Sequence, residues 1–284
     1  MIPKPSADRS KRVIEMDNVG FTYEAGVEAL RSVSLKISSG EFLAIVGGNG
    51  SGKTTLAKLM NGLLRPSGGS IKISGAPAES QSIAELSKTV GYCFQNPDHQ
   101  LFCTSVEDEV MFGPKNLGIG PEESRERMER ALSLMGIFSL KTMSPFSLSL
   151  SERRRVTIAS ILAMTPQVMI LDEPTTGLDA DESSELMALI RKLNADGRTI
   201  ILITHEMKLV AEHADRVIIL SDGHILLDSD VRGAFSDPEI LKASRLLPPP
   251  VTLLASRISS IGISRDLLTS DEFVFELSRR YGSR

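Results

Sequence analysis

Gly47-Gly48-Asn49-Gly50-Ser51-Gly52-Lys53-Thr54-Thr55 stands between an apolar run, Phe42-Leu43-Ala44-Ile45-Val46, and a helical stripe of Leu56, Leu59, Met60 and Leu63. The order is strand, glycine loop, helix, and Gly47 to Thr54 fit the pattern G-x-x-x-x-G-K-[ST]. Glycines suit a backbone that curls round a phosphate chain, where a Cβ would meet oxygens or force a strained φ. Curling turns successive N–H groups inward, and the helix behind adds its positive end. Lys53 is placed to reach the outer phosphates, and the Thr54 hydroxyl to take a position on Mg²⁺. The stretch reads as a nucleoside triphosphate site.

The rest of the composition sets bounds. The 284 residues allow one large domain, or one domain with a small appendage. With 41% hydrophobic and 24% charged residues the chain is ordinary for a globular protein. A formal charge of −4 argues against a surface that coats nucleic acid. Cys93 and Cys103 are the two cysteines, with nine residues between them and no His/Cys cluster nearby, which suggests neither zinc nor a disulfide framework and fits a reducing cytosol. Met1 to Arg12 has no apolar core and does not read as a signal peptide. No apolar run approaches the ~20 residues that span a bilayer.

Along the chain, Val13 to Val19 reads as a first strand, and Val33, Leu35 and Ile37 alternate as a half-buried strand should. Arg65-Pro66-Ser67-Gly68-Gly69 is expected to stop the P-loop helix, with short strands at Ser70 to Ser74 and Val90 to Phe94. From Gln95 to about Ala163 prolines punctuate helical patches, and the region reads as a helical insertion. Within it a helix from Pro121 to Met135 carries Met128, Leu132 and Met135 on one face and a Glu126–Arg130 pair. Val168 to Leu171 and Thr199 to Ile203 are apolar without alternation, as strands covered on both faces are, and between them lies a helix with Leu186, Leu189, Ile190 and Leu193. Alternation of strands and helices implies a parallel sheet with right-handed crossovers. Arg216 to Leu220 and His224 to Leu227 flank Asp222-Gly223, a hairpin signal. Beyond Phe235 the pattern loosens, Pro248-Pro249-Pro250 marks a boundary, and Thr269 with Glu272 forms a capping-box pattern ahead of Phe273, Val274 and Leu277.

Val168-Met169-Ile170-Leu171-Asp172-Glu173-Pro174 ends an apolar strand in two carboxylates. In a doubly wound sheet ligands bind outside the carboxyl ends of the strands, which sets both acids near the P-loop. Asp172 suits holding Mg²⁺, and Glu173 suits orienting and deprotonating an attacking water. His205 ends Ile200-Ile201-Leu202-Ile203-Thr204 at the same expected edge, within reach of a γ-phosphate or the water. Gln95, at the end of Val90 to Phe94, arrives there too and can offer its amide oxygen to Mg²⁺ or water.

Together these elements resemble the nucleotide-binding domain of ABC ATPases over residues 12–235. The resemblance implies an α/β P-loop NTPase of ABC ATPase type. Its parallel sheet core would carry an antiparallel β subdomain and an inserted helical subdomain at about 96–163. Residues 1–11 would be a flexible N-terminus and 236–284 a small accessory or dimerisation region. It implies ATP and Mg²⁺ as ligands, with Tyr23 stacking on adenine, Gly47, Gly48, Asn49, Gly50, Ser51, Gly52, Lys53, Thr54 and Thr55 as Walker A, and Gln95 as the Q-loop. Asp172 and Glu173 would be Walker B acid and catalytic base, Thr175 to Asp179 the D-loop, and His205 the switch histidine.

One loop departs from the family. Where the signature reads Leu-Ser-Gly-Gly-Gln or Glu, this chain has Leu148-Ser149-Leu150-Ser151-Glu152, followed by Arg153-Arg154-Arg155. In ABC dimers this loop caps the ATP held by the other subunit, so Ser149, Leu150, Ser151, Glu152 and Asp179 would act in trans. Two side chains now stand where backbone must approach phosphate, and hydrolysis at the site this loop completes is expected to be impaired. The arginine triplet reads as solvated or salt-bridging rather than as a nucleic-acid patch.

Gly91 to Phe102 and Ser105 to Gly118, with Leu246-Leu247-Pro248-Pro249-Pro250-Val251-Thr252, are similar to the ATPases of energy-coupling-factor (ECF) transporters and their cobalt and nickel relatives. That resemblance implies a pair of ATPase subunits, identical or paralogous, on the cytoplasmic face of the cell membrane. A transmembrane coupling subunit would dock at residues 95–118, and a separate membrane subunit would bind a vitamin or transition-metal ion, with no nucleic acid involved. The alternative is a soluble ABC ATPase of DNA repair or translation. Heptads between Walker A and the signature, or a second nucleotide domain, would favour it, and neither is present.

Overall fold

The computed structural model describes residues 10–281. Of the N-terminal stretch 1–11 expected to be flexible, residues 1–9 lie outside the described residues.

The chain opens with two long strands, β1 (Arg12–Thr22) and β2 (Glu28–Ser38), and enters β3 (Phe42–Val46). The glycine loop leads into α1 (Lys53–Met60), then β4 (Gly68–Ile73), β5 (Ala76–Pro77) and α2 (Ile83–Ser87). β6 (Val90–Cys93) precedes α3 (Val106–Asn116), α4 (Pro121–Leu134) and α5 (Leu150–Ala163). Strand and helix then alternate through β7 (Val168–Asp172), α6 (Ala180–Ala195), β8 (Thr199–Ile203) and α7 (Met207–His213) to the hairpin of β9 (Arg216–Ser221) and β10 (His224–Asp230). α8 (Val231–Ser236), α9 (Pro238–Ala243), α10 (Pro250–Arg257) and α11 (Ser270–Tyr281) follow.

Two sheets result: an antiparallel one in the order β2-β1-β4-β5, and a larger one in the order β10-β9-β3-β8-β7-β6, parallel except for β10. The chain is a P-loop ABC ATPase fold, with a parallel core sheet, a smaller antiparallel sheet and a helical subdomain. Every residue of β3, β7 and β8 is buried, because each face of the large sheet is covered. Leu43, Ile45, Ile170, Ile201 and Ile203 face the antiparallel sheet and α1, whereas Met169, Leu171, Ile200 and Leu202 face the helical subdomain and α6. Period-two alternation in a fully apolar strand thus serves two cores, which is why the sequence shows no polar face.

α1 is shorter than its apolar stripe suggests. Asn61 caps it, Gly62 follows in the left-handed region (φ 80°), and Leu63 lies beyond the helix, 40% exposed. β4 starts at Gly68 rather than Ser70. No strand forms between Gln95 and Ala163. Met128, Leu132 and Met135 are buried as expected, while an ion pair forms on α4 between Glu123 and Arg127 at 2.6 Å. Asp222 (φ 48°) and Gly223 (φ 80°) make the turn of the β9–β10 hairpin. At α11 Thr269 accepts the Glu272 N–H, but the Glu272 carboxylate takes the N–H of Leu268, one residue earlier than a capping box would place it. Val274 and Phe275 on that helix are exposed. Among the described residues no helix is long and apolar enough to cross a membrane.

α7 ends on His213, whose carbonyl accepts from Arg191 Nη1 at 2.8 Å. Burial, reinforced by the charges of Arg191 and Lys208, lowers its imidazole to about 4 from 6.5. The unfolded chain therefore binds the extra proton first as pH falls, so the stability contributed by neutral His213 is complete above its ordinary pKa and lost on descent towards the folded one. His213→Gln should flatten the pH dependence of stability between about pH 6.5 and about pH 4, measured by urea unfolding across that range.

Candidate functional site

The carboxyl ends of β3, β8, β7 and β6 lie side by side, so the loops that follow them meet at one edge of the sheet. Residues 47–52 leave β3 in a tight curl. Gly47 (φ 152°) has the Leu220 carbonyl oxygen 2.1 Å from where a Cβ would stand, and Gly52 (φ 104°) has the Ala29 carbonyl oxygen at 2.7 Å. At these two positions the glycine requirement comes from the chain's own backbone rather than from phosphate oxygens. No side chain caps α1, which leaves the N–H groups of its first turn facing outward.

Lys53 Nζ donates to the carbonyls of Gly47 (2.9 Å) and Gly48 (2.8 Å). Burial lowers its pKa, opposed by the nearby charges of Glu173 and Asp172. Thr54 Oγ1 donates to Asp172 Oδ2 at 3.1 Å, and the Tyr92 hydroxyl donates to the same oxygen at 2.7 Å. Asp172 is 3% exposed. Burial, with the Asp172 charge behind it, raises the Tyr92 phenol far above its ordinary range, so it remains a donor.

Glu173 leaves β7 in the left-handed region (φ 49°), its N–H donating to the Ile203 carbonyl of the neighbouring strand. This turn brings Oε2 within 2.7 Å of His205 Nδ1 and 3.3 Å of Thr176 Oγ1. The carboxylate is nearly buried while the imidazole is 63% exposed, so Glu173 is enclosed and His205 faces solvent on its open side. Tyr23 sits beside α1, its hydroxyl 2.9 Å from Thr55 Oγ1 and its ring edge-on to Phe21 at 4.8 Å.

Gln95 reaches the same edge but is exposed, and among the described residues its side chain makes no hydrogen bond. Its carbonyl accepts from Arg154 Nη1 at 2.7 Å. Arg154 Nη2 donates to the Thr176 carbonyl at 2.9 Å, so one guanidinium bridges the loop after β6 to the loop after β7. It is 4% exposed; burial lowers its pKa, while Cys93 and Glu173 pull the other way. Its neighbours behave as expected, Arg153 pairing with Asp98 (2.6 Å) and Arg155 with Glu185 (2.7 Å). Cys93 and Cys103 are free thiols, each raised by burial to about 11.

Ser149 caps α5, accepting the Glu152 N–H at 3.3 Å, while the Glu152 carboxylate accepts the Ser149 N–H at 2.8 Å. The end of this helix is thus closed by its own acid. Leu150 folds back onto the following loop, its Cδ2 2.8 Å from where a Cβ on Gly177 would stand. Ser151 is buried. Asp179 caps α6 in a second capping box with Glu182. Within one chain, then, Lys53, Thr54, Asp172, Glu173 and His205 converge. Among the described residues no hydrogen bond or ion pair joins Ser149–Glu152 or Asp179 to residues 47–55.

Sequence reasoning passed over two residues. Tyr92 stands opposite Ile170 in the β6–β7 register, which puts its side chain on the same face as Asp172 two residues on. Arg154 shares a helix face with Ile158 and Ile161 at i, i+4, i+7, and a charge on an apolar face was the available signal.

Compared with known families, residues 30–176 match the one described as ABC transporter. A provisionally named ABC transporter ATP-binding protein of Caldanaerobacter subterraneus subsp. tengcongensis is 43% identical over 258 residues, which are 91% of this chain and 45% of that protein. The chain therefore spans about half the length of the first curated relatives it matches. The energy-coupling factor transporter ATP-binding protein EcfA1 of the same organism is 42% identical over 270 residues, 92% of this chain and 97% of that one. Among solved structures, cbiO1 from Clostridium perfringens, part of the ABC transporter complex cbiONQ, superposes with a TM-score of 0.75 at 35% identity, covering 89% of this chain and 99% of that one.

Replacing Arg154 by Met keeps the bulk but strands both carbonyls. We expect a loss of about 1–2 kcal/mol in urea unfolding, since both carbonyls are only partly buried and an unmet buried group costs about 1–3 kcal/mol. Arg154→Lys, which has no fork to span the two, should fall between.

Proposed function

The chain belongs to the ATP-binding subunits of ABC transporters, in the ECF and cobalt-type group, and from that premise we propose that it hydrolyses ATP to power an importer of a vitamin or transition-metal ion. The observation that carries the reading is the pair of contacts at one sheet edge, Thr54 to Asp172 at 3.1 Å and His205 to Glu173 at 2.7 Å. Two hard oxygen ligands meet beside an uncapped helix end, and an enclosed carboxylate meets a solvent-facing imidazole a few residues away.

The oxygens of Thr54 and Asp172 suit Mg²⁺, and the Gln95 amide oxygen would be a further ligand. Bound there, the ion would offset charge on the β- and γ-phosphates. Residues 47–55 cradle the phosphates with backbone N–H groups, Lys53 exchanging its loop carbonyls for phosphate oxygens. Tyr23 stacks on adenine. Glu173 accepts the proton of the attacking water, and His205 orients that water against the γ-phosphate.

Only half of a composite site lies in one chain. A second ATPase subunit, identical or paralogous, supplies Ser149, Leu150, Ser151, Glu152 and Asp179 to the nucleotide held here. The Leu150 and Ser151 side chains stand where the ordinary signature has glycines and where backbone must approach phosphate, so the site completed by this loop turns over slowly. A partner with an ordinary signature would keep one site fast.

A transmembrane coupling subunit docks at residues 95–118. Support comes from an open apolar groove of about 500 Å³ there, which Phe94, Phe102, Phe112 and Leu117 line together with Leu63 and Ile83. Phe102 and Phe112 are exposed and stacked edge to face at 4.7 Å. Buried Glu109 accepts the N–H groups of Phe102 (2.9 Å) and Cys103 (2.8 Å) and fixes the turn that presents them. The subunit would sit peripherally on the cytoplasmic face of the membrane, beneath the coupling subunit and a substrate-binding membrane subunit. Residues 12–235 are the nucleotide domain, and 236–284 add dimer contacts through exposed Val274 and Phe275.

Glu173→Gln should lower ATP turnover of the assembled complex by about 10²-fold or more while a fluorescent ATP analogue still binds. Retained turnover would remove Glu173 from the reaction. Restoring glycine at 150 and 151 should raise turnover by about tenfold, ~1.4 kcal/mol of barrier. No gain, with expression and assembly unchanged, would overturn the slow-site reading.

A further inference from the structure

A second concavity lies away from the nucleotide edge. α8, α9 and α10 enclose a cleft of about 840 Å³. Its floor is apolar: Phe235, Leu241 and Leu268 are each at least nine-tenths buried. Around its mouth stand Lys242, Arg245 and Arg265, and among the described residues none of these three cations has an ion-pair partner. Arg232, also at the rim, is by contrast engaged by Glu272 and by the Asp266 carbonyl. Asp266 is the acid on the lining.

Three rim cations against one acid leave net positive charge at the mouth, and Leu247 on the same lining leaves apolar surface in water, 73% exposed. One kind of ligand relieves both. Cavities of this size with an apolar floor and a few convergent polar groups are what small organic molecules occupy.

The turn between Lys242 and Arg245, two residues of the lining, also runs beside the glycine loop. The Ser244 carbonyl oxygen, between Lys242 and Arg245 at the end of α9, is 3.7 Å from where a Cβ on Gly48 would stand. Arg245 itself is in the left-handed region (φ 57°), an unfavourable conformation for arginine that the surroundings must hold. Phe235, Leu241 and Leu268 belong to the same buried cluster as Ala44 and Val46 of β3, the strand that carries the loop. The cleft floor thus shares a core with the strand that carries the glycine loop, and Ser244, between two rim cations, lies beside Gly48.

We propose that this cleft is an effector site for a soluble organic anion with an apolar body, a carboxylate or phosphate ester on a hydrocarbon or ring. Its occupancy alters nucleotide affinity through the Ser244–Gly48 contact. The coupling part rests on reading residues 47–55 as an ATP site, and the binding part does not.

The test titrates decanoate, decanol and inorganic phosphate into the purified full chain by calorimetry, and a fluorescent ATP analogue with and without saturating decanoate. We expect decanoate to bind saturably, one per chain, with decanol and phosphate each weaker by about tenfold or more. Lys242→Gln with Arg245→Gln should weaken decanoate by about tenfold. Ser256→Trp, which fills the cleft from its exposed rim, should abolish binding while unfolding at the unaltered midpoint. Nucleotide affinity should shift by about threefold on decanoate addition, and decanoate affinity by the same factor on nucleotide addition.

Equal binding of decanol, equal binding of phosphate, or insensitivity to these variants would overturn the site. So would preference for phosphatidylglycerol vesicles over monomeric decanoate, or loss of decanoate binding once a second ATPase subunit is present. Decanoate binding without any shift in nucleotide affinity would overturn the coupling. A chain that takes up decanoate but no nucleotide would instead undo the proposed function and leave the site standing.

Discussion

Asp172 Oδ2 accepts hydrogen bonds from Thr54 on α1 and from Tyr92 on β6, and the nucleotide edge is organised around that buried charge. A carboxylate 3% exposed in a core of Ile, Leu and Val is tolerable only with donors on it. Meeting that need clamps the glycine-loop helix, β7 and the neighbouring edge strand β6 together. Tyr92 is held as a donor by the same burial that makes the clamp necessary. Removing either donor would leave a charge in a low-dielectric site with too few partners, a larger penalty than the lost bond alone.

Much of this was legible in the residues. Glycine loop, acid pair, histidine and hairpin turn each carry a local requirement that only certain side chains meet, so their meeting at one sheet edge was legible, whereas their order along it, with β8 between β3 and β7, was not. The boundaries that moved did so for physical reasons. Leu63 keeps helical spacing with Leu56 and Met60, but Gly62 ends the helix first, and periodicity carries no information about a left-handed residue. Glu123 rather than Glu126 supplies a partner on α4, since spacing fits either pair and does not choose between them.

What the sequence concealed is mostly long-range. Arg154 reads as one of three similar arginines, yet its neighbours reach acids at the surface while it is itself buried and bridges the backbone carbonyls of two loops. Which of three adjacent side chains turns inward depends on the rotation of α5 against the sheet. The glycine loop shows the same limit from another side. At Gly47 and Gly52 the space for a Cβ is taken by the carbonyls of Leu220 and Ala29, residues far away in the chain. The open cleft between α8, α9 and α10 likewise has no motif, because its floor and rim come from separate helices.

The contact between Leu150 and Gly177 makes two distant positions dependent on each other. Gly177 lies at φ 83°, where a side chain is strained, and Leu150 occupies the space that such a side chain would need. A side chain at 177 would therefore require the flexible end of Leu150 to swing aside. Reverting 150 to glycine would lift the steric half of that restriction and leave the backbone half. The two positions are thus coupled through one contact, and a change at either should be read together with the residue at the other.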